Sequence, residues 1–227
     1  MKEKLLLLHG ALGSKKQFDS IKEVLGNTYD VYDMNFEGHG GAESQRDYSI
    51  EVFSENVIDF LETNSINQIN IFGYSMGGYV ALHTALKVPY KIKKIITLGT
   101  KFEWDLDSAE KETRMLNPLK IEEKVPHFAK MLEKEHYPLD WKIIMEKTAA
   151  MMLDMGKGAK LNDNDFGRIN QNVVIGVGSL DTMVSYEESE IVSELLPNSK
   201  LITLEGVEHP INKIESQTIV DYIISNL

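Results

Sequence analysis

The feature that most constrains this chain is the alternation of short, mainly apolar runs with longer amphipathic stretches. Runs of four to seven residues are too short for buried helices, and the stretches between them are long enough for one helix each. That is the pattern of βαβ units, whose strands lie parallel and are covered on both faces. Six strands are expected, at residues 5–8, 31–35, 68–72, 92–98, 172–177 and 200–204. Between them, Val52, Phe53, Val57, Phe60 and Leu61 share one helical face behind Ser49, a hydroxyl suited to an N-cap. Ser185 and Glu188 have the S-x-x-E spacing of a capping box, and Ile214, Val220, Ile223, Ile224 and Leu227 mark a last helix. The alternation breaks between residues 101 and 168, a stretch too long for a crossover loop. There Trp141, Ile144, Met145, Thr148, Met152 and Met155 form one stripe of a helix that Gly156 and Gly158 would end. The expected architecture is therefore α/β: a mostly parallel six-stranded sheet flanked by helices, residues 1–100 and 169–227, interrupted by a helical lid at 101–168.

Composition narrows the function. A chain of 227 residues, 42% of them hydrophobic, can bury a core without disulfide or metal support. The absence of cysteine removes thiol nucleophiles, redox pairs, thiolate metal sites and iron–sulfur clusters. A net charge of −11 disfavours a nucleic acid partner. The first residues place charges before leucines and small residues after them, as a secretory leader does. Only residues 5–8 are continuously apolar, short of the roughly 7 to 15 such a leader needs and of the ~18 of a membrane span. No membrane span and a cytoplasmic location are expected.

The sharpest local signal is Gly73-Tyr74-Ser75-Met76-Gly77, followed by Gly78. An apolar run leads into it and a small-residue helix leads out, so Ser75 is expected on a tight strand-to-helix turn, at a helix N-terminus that favours negative charge. A serine hydroxyl near neutral pH needs a base, and histidine is the side chain that supplies one. Of six histidines, His209 lies between a strand and a helix, where a loop can bring it onto Ser75. His9 and His39 sit beside glycines as loop braces, and His83 lies in the helix behind the serine. His127 and His136, inside the lid, are expected in solvent, as are the paired carboxylates Glu122-Glu123 and Glu187-Glu188. A carboxylate must hold the base in one tautomer; Asp181 stands immediately past a buried strand, with Glu103 and Asp105 after the preceding strand as alternatives. No dinucleotide fingerprint, phosphate loop or HExxH pair occurs, and no cofactor or metal is expected.

His9-Gly10 after the first strand, Gly38-His39-Gly40 after the second, the G-x-S-x-G turn, an acid past Gly178 and a histidine before the last helix recur in that order along essentially the whole chain. In this the chain resembles the α/β-hydrolase superfamily. The resemblance implies a nucleophile, acid and base at Ser75, Asp181 and His209. It also implies an oxyanion hole made by the backbone N–H of Met76 and that of Ala11, with Leu12 one register away. The antiparallel strands that open many members have no expected counterpart here. Epoxide hydrolases and dehalogenases of this superfamily carry aspartate where Ser75 stands.

The lid holds six of the ten methionines and both tryptophans, and two of the three arginines. Those Met and Trp side chains either pack the lid's own core or line a pocket for an apolar group. On the second reading, Leu12, Trp104, Trp141 and Met145 contact substrate. The scarcity of arginine leans towards a neutral substrate. The expected activity is a serine esterase cleaving a small or medium carboxylic ester through an acyl-enzyme. A carbon–carbon bond hydrolase or lyase of the same fold is the first alternative, and a ligand-binding receptor that kept the triad is the second.

Overall fold

The computed structural model describes residues 2–227. Its strands are β1 (Lys4–Leu8), β2 (Asp30–Met34), β3 (Ile69–Tyr74), β4 (Ile92–Leu98), β5 (Asn172–Gly178) and β6 (Ser199–Leu204), each within two residues of the expected run at either end. They form one sheet in the order β2-β1-β3-β4-β5-β6, every neighbouring pair parallel. The helices are α1 (Asp19–Leu25), α2 (Ile50–Thr63), α3 (Met76–Lys87), α4 (Leu106–Thr113), α5 (Pro118–Lys124), α6 (Pro126–His136), α7 (Trp141–Gly156), α8 (Asp163–Gly167), α9 (Tyr186–Leu195) and α10 (Ser216–Asn226). Helices α4–α7 are inserted between β4 and β5. No helix among the described residues is long and apolar enough to cross a membrane.

The unbroken Leu5-Leu6-Leu7-Leu8 run reflects burial on two sides. Leu5 and Leu7 pack with Phe72, Tyr74, Ile96 and Leu98 under residues of α1 and α10. Leu6 and Leu8 point the other way, to a core shared with α2 and α3. Alternate side chains of a strand face opposite sides, so a strand covered on both has no place for a polar residue. The edge strand β2 is more polar, and its Asp30 and Asp33 pair with Lys4 at 2.9 Å and Lys22 at 2.6 Å. Capping follows the sequence: Ser49 accepts from the Val52 N–H, and Ser185 and Glu188 form the reciprocal box.

His9 and His39 lie fully buried between the ends of β1 and β2 and the inserted helices. His9 Nδ1–H donates to the Gly10 carbonyl at 2.8 Å, and Nε2 accepts from the Phe36 N–H at 3.2 Å. The bond accepted at Nε2 needs the neutral ring. Burial pushes the His9 pKa down to about 4, and His39 is held well below its ordinary value by burial and by the neighbouring His9. An unfolded histidine takes up its proton near pH 6.5, so below that pH protons favour the unfolded chain. The stabilisation from a neutral His9 is complete above pH 6.5 and is lost as pH falls towards 4, up to about 3 kcal/mol. Urea unfolding between pH 7 and 4.5 is expected to show this loss and a shallower one in His9→Asn; identical slopes would contradict it.

Candidate active site

The order of strands reverses at β1, because the chain steps from β1 outward to β2 and then back to β3 on the other side. In open parallel sheets such a switch point leaves a crevice at the carboxyl ends of the strands. Ser75 follows β3 directly, between the strand and α3, with φ 51° and ψ −119°, a conformation non-glycine residues seldom adopt. It is held there by its N–H donating to the Leu98 carbonyl at 2.8 Å, while its own carbonyl accepts from the Gly78 N–H and the Thr100 hydroxyl at 3.0 and 2.9 Å. The flanking glycines permit the approach. A Cβ on Gly77 would lie 2.2 Å from the Leu8 carbonyl oxygen, and one on Gly73 would lie 2.4 Å from the Gly78 nitrogen.

His209 and Asp181 arrive from the loops after β6 and β5. Ser75 Oγ stands 3.3 Å from His209 Nε2, and His209 Nδ1 stands 2.8 Å from Asp181 Oδ2. The Asp181 side chain is 2% exposed, and its other oxygen accepts the N–H groups of Met183 and Val184 at 2.8 and 2.9 Å. Burial by itself raises the Asp181 pKa, but the His209 contact and the two amides outweigh it and hold the carboxyl below its ordinary value. An ionised Asp181 fixes the proton of His209 on Nδ1 and leaves Nε2 to face Ser75. The Tyr74 hydroxyl donates to the His209 carbonyl at 2.6 Å and steadies that loop. Neither alternative acid joins them: Glu103 is exposed, and Asp105 caps α4 by accepting from the Ser108 N–H.

The turn after β1 lies alongside. The Gly10 carbonyl accepts from His9 Nδ1 and from the Gly13 N–H, which fixes the Gly10–Ala11 peptide plane; in a trans peptide the Ala11 N–H points opposite to that carbonyl. The N–H groups of Met76, Ala11 and Leu12 have no partner among the described residues. Ala11 lines the same cavity as Ser75, whereas the Leu12 side chain packs against cores towards the inserted helices.

That cavity is walled by Ile50, Tyr79, Trp104, Met151, Met152 and Met155. Of the four residues expected to touch substrate, Trp104 is in this wall. Trp141 and Met145 are buried with Ile121, Ala129 and Leu132 in a separate core of the helical insert, which Leu12 also touches. Helix α7 faces two ways: its early turns pack against α5 and α6 and its late turns wall the cavity. Ile50 and Tyr79 were not singled out in the sequence; Met151, Met152 and Met155 are among the six methionines of residues 101–168 that were. Lys101 and Glu112 also reach the cavity, 3.9 Å apart. Two residues expected in solvent are buried. Glu188 accepts the N–H groups of Phe102, Glu103 and Ser185, and His136 bonds to backbone on either side of it. His127 is exposed as expected. No group of three or more metal-ligating side chains occurs among the described residues.

A family profile described as the alpha/beta hydrolase fold matches residues 4–130. The chain belongs to that family. It is similar to a probable alcohol acetyltransferase of Cyberlindnera jadinii, 34% identical over 102 residues, which are 43% of this chain and 28% of the relative. The match thus spans less than a third of that relative's length. A putative lipase of Acinetobacter baumannii AYE has a TM-score of 0.81 at 21% identity, covering 99% of this chain and 83% of the other. An esterase of a marine microorganism has a TM-score of 0.76 at 20% identity, covering 100% and 96%. At these identities the two structures share the fold.

Trp141→Ala should cost roughly 3 to 5 kcal/mol, read from urea unfolding, because it empties a buried site that the cavity does not use. A loss under about 1 kcal/mol would contradict that placement.

Proposed function

We propose that this chain is a serine esterase or acyl-transfer enzyme acting on a small or medium carboxylic ester through an acyl-enzyme at Ser75, with residues 101–168 as the lid over its site. The observation that carries this reading is the unbroken line of contacts from Ser75 Oγ through His209 to the buried Asp181 carboxylate. As Oγ attacks the ester carbonyl carbon, its proton passes to His209 Nε2, and the imidazolium is balanced by Asp181. The former carbonyl oxygen, now negative, meets the unpaired N–H groups of Met76 and Ala11 and the N-terminus of α3. The carbon–oxygen bond to the alcohol then breaks, and His209 returns the proton to the leaving alkoxide. In the second half a hydroxyl nucleophile gives its proton to His209 and attacks the acyl carbon; the bond from that carbon to Ser75 Oγ then breaks, and His209 returns the proton to Oγ. The 3.3 Å separation of Oγ and Nε2 suits a site without substrate, where such bonds are often long.

Hydrolysis and transfer to an alcohol differ only in that second nucleophile. Transfer is favoured by the alcohol acetyltransferase named among the relatives and by the wall of Met, Trp and Ile side chains. Such a wall gains up to about 0.8 kcal/mol per methylene of an alcohol, a gain water does not have.

Ser75→Ala should lower kcat on 4-nitrophenyl esters by roughly 10³- to 10⁶-fold at an unchanged melting temperature. Asp181→Asn should lose most activity, and butanol added to the wild-type assay should divert product from acid to butyl ester, measured by gas chromatography. Substantial turnover by Ser75→Ala would refute the nucleophile assignment; acid as the sole product at saturating butanol would leave hydrolysis alone.

A further inference from the structure

His136 is a fully buried ring that the proposed reaction does not use. It ends α6, in the lid, yet both of its nitrogens bond to backbone of the sheet domain. Nδ1 accepts from the Gly40 N–H at 3.0 Å, so the proton sits on Nε2, which donates to the Leu12 carbonyl at 3.1 Å. One neutral imidazole therefore joins the lid to the loop after β2 and to the turn after β1. The residue before it makes a second joint, since the Ser14 hydroxyl donates to Glu135. A third is the Leu12 side chain, which packs against the lid core of Ile121, Leu132 and Trp141.

Leu12 needs such restraint. The turn 10–13 is closed by the Gly13 N–H bonding to the Gly10 carbonyl, and Leu12, its third residue, has φ 57°. That position in a turn ordinarily takes glycine or asparagine; a leucine there is strained and rotates back towards negative φ when released. The rotation would turn the Ala11–Leu12 peptide, immediately beside the Ala11 N–H assigned to the oxyanion.

We infer that His136 is a positioning residue that couples the seating of the lid to the geometry of the oxyanion turn. The inference rests on the acyl-enzyme reading above. It gives the lid a role in rate as well as in substrate binding, since a turn displaced by about 1 Å can cost a factor near 10² in the chemical step.

The test compares His136→Leu, which removes both bonds, with His136→Gln, whose amide can still donate to Leu12. His136→Leu should lower kcat roughly 10- to 100-fold with KM nearly unchanged. It should weaken binding of an alkyl boronic acid, which mimics the tetrahedral species, by the same factor. His136→Gln should stay within a few-fold of wild type in both. Because the leucine variant could fail to fold, Glu135→Ala is measured as well, and a several-fold fall in kcat and in boronate affinity is expected. Ser75→Ala run alongside separates the two claims: activity there overturns the nucleophile. With Ser75→Ala inactive, wild-type kcat and boronate affinity in folded His136→Leu or in Glu135→Ala would overturn the coupling. So would a loss in His136→Gln equal to that in His136→Leu.

Discussion

The start of α3 lies against the end of β1 so closely that a Cβ on Gly77 would stand 2.2 Å from the Leu8 carbonyl oxygen. That contact sets the positions of everything around it. It allows the strained backbone of Ser75 to be held from both sides, by the Leu98 carbonyl and by the Gly78 and Thr100 donors. It also brings the turn after β1 beside the N-terminus of α3, so that the free N–H groups of Ala11 and Met76 lie at the same crevice. The switch in strand order at β1 is what opens that crevice, and the loops after β5 and β6 supply Asp181 and His209 from the same end of the sheet.

Burial divides the histidines into two kinds. His9, His39 and His136 are taken out of water and driven towards neutrality; His9 and His136 connect backbone groups through both ring nitrogens, and His39 bonds the Glu37 carbonyl through Nδ1 alone. His209 instead has the ionised Asp181 at Nδ1 and a hydroxyl at Nε2. The same imidazole thus braces in one setting and is suited to moving protons in the other. The difference lies in the carboxylate, which the two amides of Met183 and Val184 help to keep charged at the bottom of its pocket.

Much of this was legible in the chain because the signals were local. Four leucines in a row can satisfy only a strand covered on both faces, and a G-x-S-x-G after an apolar run requires the close turn that Gly73 and Gly77 make. Asp181 and His209 could be proposed from their places after strands, while Glu103 and Asp105 could be set aside only once exposure and the α4 cap were seen. What was not legible depended on which neighbour a surface meets. The stripe on α7 reads as one apolar face, yet Trp141 and Met145 meet α5 and α6 while Met152 and Met155 meet the cavity. Glu188 announced itself as a cap, but its burial comes from the distant Phe102 and Glu103 amides. Nothing near His136 in sequence points to Gly40 or Leu12, which reach it only through the packing of the inserted helices against the sheet.

The central claim is that Ser75 Oγ is the nucleophile that becomes acylated. The most direct measurement is reaction of the intact protein with an alkyl fluorophosphonate, followed by digestion and mass spectrometry of the modified peptide. The account predicts a single adduct on Ser75, formed much more slowly in Asp181→Asn. An adduct on another residue, or no adduct in the folded wild-type protein, would contradict it.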